Sequence, residues 1–155
     1  MVKLSSQVSA PALVIRKGCC DDVHHMLPLM RQLRYPTTFS VLKERLRMLE
    51  DNQQHHSLVA EVDGVVRGTI FLKQYQTHDM NRPITQIIAM IVDEDHRSNG
   101  IGKRLMSEAE SWSKDRGSSQ LFLSVAGENS LSAKSFYERM GFTCTGHRRL
   151  SKTLA

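Results

Sequence analysis

The sequence predicts an α/β fold, with a mixed central sheet of about six to seven strands flanked by about four helices in a single domain over residues 1–155. Three observations predict it. Short β-branched runs alternate with amphipathic helical stretches along the chain. Two of the runs are joined by Asp63-Gly64, the turn chemistry of a tight antiparallel hairpin. A third, Ile87-Ile88-Ala89-Met90-Ile91-Val92, has no polar alternation and is followed closely by a helical stripe, the pattern of a central strand covered on both faces. With 155 residues, 40% apolar and 24% charged, the chain can bury a sizeable core without a second domain.

Taken in order, residues 1–11 read as a loose tail ending at Pro11, and Leu13 to Arg16 as the first strand. Asp21 or Asp22 can cap a helix whose buried stripe is Val23, Met26, Leu27 and Met30. Tyr35-Pro36-Thr37-Thr38 breaks it, because a residue before proline avoids helical backbone angles. Leu42, Leu46 and Leu49 mark a second helix. The hairpin follows, His56 to Val62 and Val65 to Tyr75, and after a polar loop, Gln76 to Arg82, the strand Ile84 to Val92. The stripe Ile101, Leu105, Ala109 and Trp112 defines a third helix with Gly117 at its C-terminal cap. Leu121 to Val125 is a strand, Ser130 to Met140 a helix closed by Gly141, and Phe142 to Cys144 with His147 to Leu150 a last short pair.

Composition excludes several classes. The odd cysteine count (Cys19, Cys20, Cys144) with two of them adjacent is not a disulfide framework, and no Cys/His spacing suits a metal, so none is expected. No apolar run is long enough to cross a bilayer, and the opening Met-Val-Lys-Leu-Ser-Ser-Gln lacks a leader's apolar segment; no membrane association and a cytoplasmic location are expected. The net charge of +5 suits a solvated basic surface or a site for a polyanionic ligand. With 6% aromatics there is no basic-aromatic interleaving, and no nucleic-acid partner is expected.

The stretch from Val92 to Arg104 carries the most chemistry. Gly100 and Gly102 stand where a strand turns into a helix, so the backbone can approach a ligand closely. The first-turn N–H groups point outward, and Arg97, Lys103 and Arg104 add positive charge, the physics of a pyrophosphate site. A P-loop would need glycine where Arg97 stands and Ser or Thr where Arg104 stands. A dinucleotide fingerprint would need a small residue at Leu105.

Arg97-x-x-Gly100-x-Gly102 resembles the acyl-CoA signature of the GNAT (GCN5-related N-acetyltransferase) superfamily. Asn129-x-x-x-Ala133-x-x-Phe136-Tyr137-Glu138-x-x-Gly141-Phe142 is similar to a second segment of that family. The resemblance is close from Ile84 to Phe142; the first eighty residues match only in pattern. It implies acetyl-CoA as co-substrate and transfer of its acetyl group to a primary amine. It implies that the backbone of Met90, Ile91 and Val92 pairs with the pantetheine arm like an added strand. It further implies that the amides of Arg97, Ser98, Asn99, Gly100, Ile101, Gly102 and Lys103 hold the pyrophosphate, and that Asn129 bonds the pantetheine.

Such a transfer needs a deprotonated amine, an N–H donor for the developing oxyanion and an acid near the departing sulfur. The resemblance makes Tyr137 that acid; by spacing alone, 133, 136, 137 and 140 share a face and Tyr137 reads as a core residue beside Phe136. Many relatives carry a glutamate on the strand that here reads Thr85-Gln86-Ile87-Ile88, and no carboxylate stands there. Gln86 can hold a water instead, while Asp93, Glu94, His24, His25 and Tyr75 are equally open as bases. Arg34-Tyr35-Pro36 and Gln76 to Arg82 are the expected walls of the acceptor pocket, with Tyr35 able to stack on a substrate. A small-molecule amine is the favoured acceptor; a protein acetyltransferase or a non-catalytic acyl-CoA sensor are the alternatives. Homodimerisation is a further expectation from the resemblance.

Overall fold

The chain runs β1 (Leu13–Lys17), a 3-10 turn (Cys20–Asp22), α1 (Val23–Gln32), α2 (Phe39–Glu50), β2 (His55–Val62), β3 (Val65–Tyr75) and β4 (Ile84–Val92). A second 3-10 turn (Glu94–His96) precedes α3 (Ile101–Asp115), β5 (Gln120–Ser124), α4 (Ser130–Arg139), β6 (Thr143–Gly146) and β7 (Arg149–Thr153). This computed structural model describes residues 12–32, 37–97, 99–124, 130–146 and 148–154, with residues 130–132 described by their backbone alone.

All seven strands form one sheet in the order β1-β2-β3-β4-β5-β7-β6. Strands β1 to β4 are antiparallel neighbours, β4 and β5 are parallel, and β7 inserts antiparallel between β5 and β6. The expected order of elements is therefore observed. At the hairpin, Asp63 (φ 52°) and Gly64 (φ 83°) both take the left-handed angles of a type I′ turn, which matches the twist of the paired strands.

Two apolar clusters clasp the sheet. On one face α1 and α2 bury Val23, Met26, Leu29, Leu42 and Leu46 against Val59, Val66 and Ile91. On the other, Ile101, Leu105, Met106 and Ala109 of α3 pack on Ile70, Leu72 and Ile87, joined by Tyr137 of α4 and Phe142. Helix α3 comes so close to β3 that a Cβ added at Gly68 would lie 2.8 Å from Ile101 Cγ2.

Some local expectations are refined. Asp22 caps from inside the 3-10 turn: its carboxylate accepts the Cys19 N–H (2.9 Å) while paired with Arg16 (2.7 Å). Burial opposes its charge, but Arg16 and the Cys19 N–H outweigh that and hold it below the ordinary carboxylate value. Thr38 caps α2 by accepting the Val41 N–H (3.4 Å). The last strand extends to Thr153, because Ser151 is buried with its hydroxyl 2.7 Å from that of Thr145.

The expectation that Ile87 to Val92 is covered on both faces is corrected. Phe71 pairs with Ala89 and Leu72 with Ile87, so Ile88 is an extra residue, a β-bulge, and its side chain is 50% exposed.

His56 lies flat on Trp112 of α3, ring centroids 4.8 Å apart and 4° from parallel. Burial, aided by Lys17 and Arg116, pulls the imidazole down from 6.5 to about 4. The unfolded chain thus takes up a proton that the folded one refuses, so this stability is complete above about pH 6.5 and is lost as the pH falls toward 4. The melting temperature should drop over that interval, and His56→Phe should flatten that part of the profile in thermal unfolding followed from pH 7.5 to 4.

Candidate active site

Strand β4 is held on one side throughout its length and on the other only at its start. Thr85 and Gln86 pair with Leu121 and Phe122 of β5; beyond them Leu123 and Ser124 have no partner on β4. The bulge at Ile88 sits two residues past this fork. From Ile87 to Val92 the edge of β4 facing β5 therefore has no strand partner among the described residues, its Val92 carbonyl accepting only the Arg97 side chain, whereas Met90, Ile91 and Val92 pair with Ile70, Thr69 and Gly68 on the β3 side. An extended, amide-bearing ligand can complete such an edge.

This edge leads to the start of α3. Gly100 is the N-cap residue at φ 81°, ψ 5°, an angle that costs other residues, and no side chain among the described residues caps the helix. The first turn holds no acidic residue, and Arg104 N–H to Gly100 C=O (3.0 Å) is its first backbone bond. The N–H groups before Arg104 are thus available to an anion at the positive end of the dipole. Asn99, Gly100 and Lys103 are exposed, and among the described residues no carboxylate pairs with Arg97, Lys103 or Arg104. Ile101 contributes only its amide, its side chain being 2% exposed in the core. A Cβ added at Gly102 would lie 3.2 Å from Phe136 Cζ, so this turn is closely approached from α4. Arg97 folds back, Nε donating to the Val92 carbonyl (3.3 Å). Ser98, Asn129 and Tyr35, named from the sequence, lie outside the described residues.

A polar knot anchors the segment between β4 and α3. Asp93, 8% exposed, bonds Arg67 Nη1 (3.1 Å), Gln32 Nε2 (3.4 Å) and the Asp95 N–H (3.1 Å). Burial opposes the charge, but these donors hold the carboxyl below its usual value, so Asp93 anchors the loop and is a poor base. His25 is engaged too, its Nδ1 accepting the Val66 N–H (3.3 Å).

Tyr137 is 6% exposed, edge-on to Phe136 (5.2 Å) and Phe142 (5.4 Å). Its hydroxyl bonds no described residue, and burial pushes it up to about 12. Gln86 is the fork residue, lying between Lys73 on β3 and Phe122 on β5.

On the α1/α2 side, a cavity of about 290 Å³ opens beside the bulge. Leu46, Leu49 and Glu50 of α2 form one wall, and His55, Phe71, Lys73 and Ile88 lie along the strands. The expected wall Gln76 to Arg82 does not line it: Gln76 bonds Met80 within the loop, and Arg82 bonds Gly117. No sequence signal marked this cavity, since its lining comes from five separated segments. Among the described residues no three His, Cys, Asp or Glu converge as metal ligands, and no helix is long and apolar enough to cross a membrane.

A family model described as acetyltransferase (GNAT) family matches residues 25–142. The chain belongs to the GNAT acetyltransferase family. It is 34% identical over 89 residues to N-acetyltransferase family 8 member 2 of Rattus norvegicus, covering 57% of this chain and 39% of that protein. It thus spans well under half the length of that relative. A 5-NmdU N-acetyltransferase of Pseudomonas phage PaMx11 is 26% identical over 136 residues, covering 86% of this GNAT chain and 89% of the phage protein. An aminoglycoside N-acetyltransferase in complex with CoA shares the fold, with TM-score 0.78 at 20% identity over 90% of this chain and 93% of that one.

Proposed function

We propose that this chain is an acetyl-CoA-dependent N-acetyltransferase that acetylates the primary amine of a small molecule by direct attack in a ternary complex. The observation that carries the reading is the fork in the sheet: a free β4 edge runs from the uncapped α3 N-terminus to a cavity at Ile88.

Acetyl-CoA, when bound, supplies an activated acetyl thioester. The amides of Gly100 to Lys103, with Arg97 and Lys103, bind the diphosphate. The edge of Met90, Ile91 and Val92 orients the amide-bearing arm, and a β4 N–H near the bulge donates to the developing oxyanion. Tyr137 donates its hydroxyl to the departing sulfur; at about 12 it stays protonated, and against a thiol near 8.5 it stabilises the thiolate by a hydrogen bond more than by full transfer. Tyr137 belongs to the α3/α4 cluster and the cavity to the α1/α2 side, so sulfur and amine meet from opposite faces through the gap between β4 and β5. Three unpaired cysteines agree with a cytoplasmic setting.

Thermal unfolding with acetyl-CoA, CoA, ATP and NADH in parallel tests the first half. A shift of about 2.7 kcal/mol is expected at a hundredfold excess over Kd for the two CoA compounds alone. Thiol release on adding small amines tests the second half. No shift with either CoA compound in a folded sample overturns the proposal, and release with peptides but with no small amine moves it to a protein acceptor.

A further inference from the structure

The cavity beside the bulge has a shape and a charge that select among amines. Resting on the acetyltransferase reading above, we infer that its occupant is an elongated amine with an apolar body and a carboxylate or similar anionic group at the end remote from the reacting nitrogen.

The shape comes from the sheet. The lining runs from Lys17 at the end of β1 and Gly18 and Cys19 after it, across β2 and β3, to Ile88 on β4. Four adjacent strands spaced about 4.8 Å apart make this a trough about 14 Å long. Its β4 end is the bulge, next to the fork where the thioester would arrive, so the amine belongs there. Its apolar surfaces are costly without a cover: Ile88 is 50% exposed and Leu49 36%, with Leu46 and Phe71 between them.

The charge comes from Lys73, on the strand next to β4, and Lys17, at the far end, neither of which pairs with a carboxylate among the described residues. Glu50 is the one lining carboxylate and is engaged by the Cys20 N–H. His55 is held below its ordinary value by burial and then by Lys73, so it adds no charge at neutral pH. His56 turns its ring to Trp112 on the other face. The trough is thus apolar with two lysines against one carboxylate, a net positive lining that attracts an anionic tail and repels a polycation.

The same lining bears on the missing carboxylate near Gln86. An amine drawn into an apolar trough is penalised as a cation by desolvation, so its neutral, nucleophilic form is favoured without a strong protein base.

The test compares matched amines by acetyl-CoA-dependent thiol release: 8-aminooctanoate, octylamine and spermidine, on wild type, Lys73→Gln and Lys17→Gln, with the acetyl-CoA thermal shift recorded for each protein. The expected result is a kcat/KM for 8-aminooctanoate at least tenfold above octylamine and spermidine. Lys73→Gln should erase most of that preference through KM, and Lys17→Gln should do so more weakly. Equal or better use of octylamine or spermidine overturns the inference, as does an equal loss for all three amines in Lys73→Gln, or no turnover of any amine by a protein that acetyl-CoA stabilises. Absence of the acetyl-CoA shift itself marks failure of the acetyltransferase reading instead.

Discussion

Gly100→Trp should abolish the stabilisation of the protein by acetyl-CoA and lower kcat/KM by about a hundredfold or more, while leaving a folded chain. The backbone at φ 81° strains a side chain by about 1–2 kcal/mol. Among the described residues beyond its chain neighbours, no atom lies within 4 Å of an added Cβ, so the start of the side chain meets open space. It projects into the space before the α3 amides, where the diphosphate is proposed to sit. Gly100→Ala carries the same strain with little bulk and should keep most of the shift, which separates blockage from local unfolding. A full acetyl-CoA shift in the tryptophan variant, read by thermal unfolding, would return this turn to an ordinary helix start.

Tyr137→Phe should lower kcat by about a hundredfold, the low end of what a positioned acid contributes, with KM for acetyl-CoA nearly unchanged. Stability should move by less than about 0.5 kcal/mol, since the hydroxyl bonds no described residue and the ring contacts with Phe136 and Phe142 persist. With the hydroxyl pushed up to about 12, it is protonated throughout the working range, so the rate ratio of wild type to variant should be constant from pH 6 to 9. Steady-state rates over that range check it. An unchanged kcat would leave Tyr137 a core residue that packs between two phenylalanines.

Much of the fold was legible because local rules and tertiary structure agree. Asp63-Gly64 permits little but the type I′ turn observed, and the stripe Ile101, Leu105 and Ala109 lies buried where its spacing put it. Other signals were ambiguous by nature. Ile88 reads like its apolar neighbours, and only the pairing of Phe71 and Leu72 with Ala89 and Ile87 makes it the bulged residue. Leu150 read as the last strand's end, yet β7 continues to Thr153, paired with β5 and β6 on either side. Asp93 stood open as a base on sequence grounds; its bonds to Arg67, Gln32 and Asp95 make it an anchor.

By itself the sequence determined the order of elements and the family resemblance, and it named the residues of the proposed phosphate cradle, because those signals lie within a few positions of one another along the chain. The tertiary structure alone decided where β4 parts from β5, that Gln86 stands at the fork, and that Lys73, Leu49 and Ile88 share one trough. Those relations join residues from distant segments, brought together by sheet register and helix packing, and no periodicity within one segment can encode a meeting of several.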